Sequence, residues 1–129
     1  IREEFSEVLR LLHFEQKGHD IFRRWYVDGR LFYHKIIDTK NPKHGIIELR
    51  YIDSTKIRKV RQVKKVKSNK TVVDMIDKVD EYYLYNEKGL SSAGTGGGGS
   101  GLKIAPDAIS YAPSGSVDGN SGRVLSYLH

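Results

Sequence analysis

Residues Phe22–Val60, FRRWYVDGRLFYHKIIDTKNPKHGIIELRYIDSTKIRKV, decide the fold. Arg30–Asp38 (RLFYHKIID) is rich in aromatic and β-branched residues and reads as a strand. Asn41-Pro42-Lys43-His44-Gly45 is a turn signal, because Pro presets φ and Gly supplies positive φ. Ile46–Asp53 (IIELRYID) resumes strand character, with Ile47, Leu49 and Tyr51 on one face and Glu48, Arg50 and Ile52 on the other. Two strands this close in sequence predict an antiparallel hairpin. Asp28-Gly29 ahead of it is a helix stop, with Gly suited to the left-handed cap position.

Upstream, Phe5, Val8, Leu9 and Leu12 fall at helical spacing, with Glu3 and Glu4 in the first turn where the helix dipole favours them. A second helical pattern runs through Phe14, Gly18, Ile21, Phe22 and Trp25, so residues 1–28 read as helical. Gly18 either separates two helices or permits close packing inside one. Trp25 and Tyr26, at the end of this amphipathic segment, read as core anchors.

Downstream, strands are expected across 30–87, including Asp80–Glu87 (DEYYLYNE). Residues 88–101 hold the tract SSAGTGGGGSG, too poor in apolar surface to order itself. It fits a native hairpin loop of variable length or an engineered linker. Leu102–Tyr111 (LKIAPDAISY) reads as strand, Pro-Asp turn and strand, which places further strands over 102–112. Residues 124–129 predict the start of a helix. The pattern is α+β: N-terminal helices on a mainly antiparallel sheet of hairpins, in one domain of 129 residues.

Composition and motifs narrow the function. Cys is absent, which excludes disulfides, thiolate metal sites and cysteine nucleophiles from these residues. No apolar run approaches the roughly 20 residues of a membrane-spanning helix. The five His residues show no HxH or HxxxH spacing, so no metal or other cofactor is expected. The glycine tract lacks the Lys-Ser/Thr end of a phosphate-binding loop, and no Gly-x-Ser-x-Gly elbow occurs. Asp74, Asp77, Asp80 and Glu81 read as a solvated turn rather than a metal-binding carboxylate cluster. No catalytic residue emerges, and enzymatic activity is not expected. The chain opens on Ile1 within a helical pattern and stops as an apolar pattern begins to repeat, so it reads as an excerpt of a longer polypeptide.

Charge is the strongest remaining feature. The formal balance is +6, and no acidic residue occurs from Ser54 to Val73. Lys56, Arg58, Lys59, Arg61, Lys64 and Lys65 are the candidates for contact with a polyanion or with another protein surface. The competing reading is a solvated strand edge that uses Lys and Arg against edge-to-edge pairing.

FRRWYVDGRLFYHKIID followed by GIIELRYIDSTKIRKVRQVKKV resembles the portal protein of T-even-type tailed bacteriophages, the head–tail connector. VDEYYLYNEKG (79–89), LKIAPDAISYAPSG (102–115) and RVLSYLH (123–129) agree with it. The resemblance implies a structural, non-enzymatic piece of a twelve-fold ring at one capsid vertex, in the part called the wing. It implies as partners copies of the same chain, the major capsid protein, the terminase motor, neck proteins and double-stranded phage DNA, without a membrane. It also implies a place at the portal vertex of the virion, after assembly in the host cytoplasm. A free-standing basic nucleic-acid-binding module is the alternative that charge alone suggests.

Overall fold

A computed structural model describes residues 1–66, 75–89 and 101–128. The chain divides into two compact units, Ile1–Ser54 with Ala108–His129, and Thr55–Asp107.

The first unit opens with two helices, α1 (Arg2–Leu11) and α2 (Phe14–Asp28). They are separated at His13, whose backbone sits at φ 50°, in the left-handed region. His is among the few non-glycine residues enriched there. Gly18 lies inside α2, where a β-carbon would come within 3.2 Å of the Phe14 ring, so it permits close packing and breaks nothing. Gly29 ends α2 at φ 71°, and its N–H donates to the Trp25 carbonyl at 2.9 Å.

Strand β1 (Arg30–Ile37) then pairs antiparallel with β2 (Ile46–Ile52), from Phe32 opposite Ile52 to Ile37 opposite Ile46. Pro42–His44 form a short 3-10 turn between them, and Gly45 leaves it at φ 75°. The hairpin forms as the sequence predicts. On its other side β1 pairs with the strand Ile109–Pro113, from Arg30 opposite Pro113 to His34 opposite Ile109. β1 is therefore the centre of a three-stranded sheet, sheet A. Leu31 and Phe32 point to opposite faces of β1 and are both buried, as is Ile109. Phe32 stacks on Tyr111 with ring centroids 5.0 Å apart, a contact of about 1 kcal/mol beyond its buried area. α1 and α2 lie toward the Tyr33–Tyr51 side, where Leu11, Leu12 and Ile21 border a hollow of about 200 Å³ with Leu49 and both tyrosines.

Past sheet A the chain folds back over the end of α2. Ser114 donates its N–H to Gly29 (2.7 Å) and its hydroxyl to the Leu125 carbonyl (2.7 Å). The Tyr127 hydroxyl donates to the Ser114 carbonyl (2.9 Å), and its ring stacks on Tyr26 at 5.2 Å. The helix expected at 124–129 is corrected over the described residues. Val124 forms a β-bridge with Val117, and the Leu125 and Tyr127 N–H groups donate to Ser116 and Tyr26. Over 124–128 the backbone thus runs as a bridge and a turn tied to Ser116 and Tyr26, with no helical segment. Trp25 is half-buried, its indole N–H directed at the Pro113 carbonyl, whereas Tyr26 keeps 40% of its surface exposed.

The second unit is a sheet of its own, sheet B. Strand β3 (Ile57–Val66) pairs antiparallel with β4 (Met75–Tyr85), and β4 pairs with the short strand β5 (Leu102–Ile104). The strand Ile109–Pro113 of sheet A is thus β6. Among the side chains of sheet B that are described, Ile57 and Tyr83 are buried. β5 begins where Gly101 lies against Leu84, with room for no β-carbon. Asp77, Asp80 and Glu81 lie along β4 and not in a turn; Asp80 and Glu81 pair with Gln62 and Arg61, and Asp77 falls at the register shift between Lys78 and Ile76. Asp74, Lys67, Lys70 and positions 90–100 of the glycine-rich tract lie outside the described residues.

Candidate interaction surface

The six basic candidates share one segment but not one surface. Lys56 precedes β3, and its carbonyl accepts the Asn86 N–H at 2.8 Å, which closes the base of the hairpin. From Ile57 onward the alternation of a strand divides the run. Odd positions share a face with Tyr85, Tyr83, Glu81 and Val79, their partners in register. On that face Lys59 Nζ lies 3.0 Å from one oxygen of Glu81, and Arg61 Nε lies 3.9 Å from the other. Two of the candidates are thus already opposed by a carboxylate, at partly exposed positions where such pairs contribute about 0.2–1 kcal/mol.

Even positions form the opposite face. Arg58, Leu84 and Lys103 stand in one row across three strands, with Val60 and Tyr82 in the next and Gln62 with Asp80 beyond. Arg58 and Lys103 are exposed. The Lys103 ammonium sits 4.1 Å from the centroid of the Tyr82 ring, a cation–π contact that holds the charge above the sheet. Lys64 continues the run at the register position opposite Lys78, and Lys65 follows at a bulge. In the described sheet β3 has β4 on one side and no strand on the other, so it is an edge strand.

The sequence therefore located the strand but missed Lys103 and Tyr82. The available signal was weak: LKI is too short to declare its partner, and its place beside YLY depends on the pairing of Tyr83 with Ile104 and Tyr85 with Leu102.

Hollows lie among the described residues of the first unit. One of about 380 Å³ sits at the α1–α2 corner among Leu9, Arg10, His13 and Phe14. Another is the hollow beside Tyr51, where the Arg24 guanidinium stacks 4.5 Å from the Tyr51 centroid. Burial pushes the Tyr51 and Tyr33 phenols above their ordinary values, against the opposing pull of the Arg24 charge. Hydrogen bonds from the Ser121 hydroxyl and the Asn120 and Ser121 N–H groups hold the Asp118 carboxyl below its usual range, which makes it an organiser of its loop. Among the described residues no three His, Cys, Asp or Glu side chains converge as metal ligands.

These features define an α+β chain with two small antiparallel sheets and a row of basic residues on an edge strand. The family model of the bacteriophage T4-like portal protein (Gp20) matches residues 1–129, and the chain belongs to that family. It is 35% identical to the portal protein of Vibrio phage KVP40 over 134 aligned residues, which cover 99% of this chain and 25% of that protein. It is 47% identical to the portal protein of Salmonella phage ViI over 58 residues, which cover 45% of this chain and 10% of that one. The chain thus spans about a quarter of the length of the KVP40 relative.

Proposed function

We propose that this chain is a wing segment of a phage portal, a structural and non-catalytic part of the ring through which DNA enters and leaves the capsid. The observation that carries this reading is the family match over all 129 residues. The partners that follow are copies of the same chain, the major capsid protein, the terminase motor, neck proteins and double-stranded DNA. Its place is the portal vertex of the virion, reached after assembly in the host cytoplasm. Lys56, Arg58, Lys59, Arg61, Lys64 and Lys65 are proposed as the contact edge toward a neighbouring surface or polyanion.

In a closed ring of identical subunits every contact is heterologous, so the two sides of the segment meet different surfaces. An edge strand that carries Arg and Lys suits such a contact, because its charges discourage pairing with an identical edge. Electron microscopy of the full-length protein provides the test. A closed ring with this segment in its outer part is expected; particles without a ring, or with the segment lining the narrow channel, would sink the wing assignment.

A further inference from the structure

We draw no further inference here: the strongest candidate, the exposed aromatic patch of Phe22, Tyr26, Tyr127 and Leu128 at the end of α2, is an unpartnered apolar face, and nothing in the structure shows what covers it.

Discussion

At the scale of single residues, Gly29 carries the greatest constraint. It ends α2 at φ 71°, and a β-carbon there would lie 2.4 Å from the Leu125 carbonyl oxygen. The conformational cost for an L-residue is about 1–2 kcal/mol, and the collision is with backbone, which cannot rotate away. Gly29→Ala is expected to destabilise the chain by about 3 kcal/mol, once the overpacking of the Leu125–Ser126 backbone is included. Urea unfolding followed by Trp25 fluorescence would measure it; a loss below about 1 kcal/mol would mean that the 125–128 segment moves aside easily. The need for Gly at this position was legible, because Asp-Gly after an amphipathic helix is a stop signal. Its second reason was not, since the approach of Leu125 comes from 96 positions away in the chain. His13 shows the opposite case. Its left-handed backbone separates the helices, yet nothing in its chemistry marks it as a break as strongly as Gly18 nearby does.

At the scale of elements, the two sheets differ in how well their strands are supported. β1 is paired on both sides over Phe32–His34 and holds the most deeply buried aromatic residue of sheet A, Phe32. β3 is paired on one side only, and β5 backs β4 only over Tyr83–Tyr85. From Val63 and Val79, which oppose each other and remain 42% and 38% exposed, the described pairing is that of a two-stranded ribbon. Such ribbons are marginal in water on their own. Hydrogen exchange should therefore report much faster opening at the β3–β4 paired amides of residues 60–63 than at those of Phe32–His34. Comparable protection in the unassembled protein would show that the ribbon gains support from elsewhere. The hairpin of β1 and β2 was readable because a five-residue turn signal separates two strand-like runs. The limits of β3 and β4 were harder to read, because a run of alternating Lys and Val satisfies both an edge strand and a solvated charged segment.

At the scale of the whole molecule, the decisive event is the parting of two strands that the sequence places almost together. Leu102–Ile104 joins β4 in sheet B, and Ile109–Pro113 joins β1 in sheet A, with the Pro106–Ala108 turn between them. LKIAPDAISY reads correctly as strand, turn and strand, but alternation cannot say that its halves serve different sheets. That choice depends on which unsatisfied edge each half meets: β1 lacks a second neighbour until β6 arrives, and β4 lacks one until β5 does. The energetic consequence is unequal. Ile109 keeps 5% of its surface exposed, whereas Leu102 keeps 66%. Ile109→Ala removes buried methyl groups beside the central strand and is expected to cost about 2–5 kcal/mol. Leu102→Ala removes little that is shielded from water and should stay within about 0.5 kcal/mol of the parent. Thermal unfolding of both variants decides the matter, with loss of sheet A expected for Ile109→Ala alone. Similar shifts for the two would mean that β5 is as deeply integrated as β6, and that the division of the chain at Ala108 does not reflect where its stability resides.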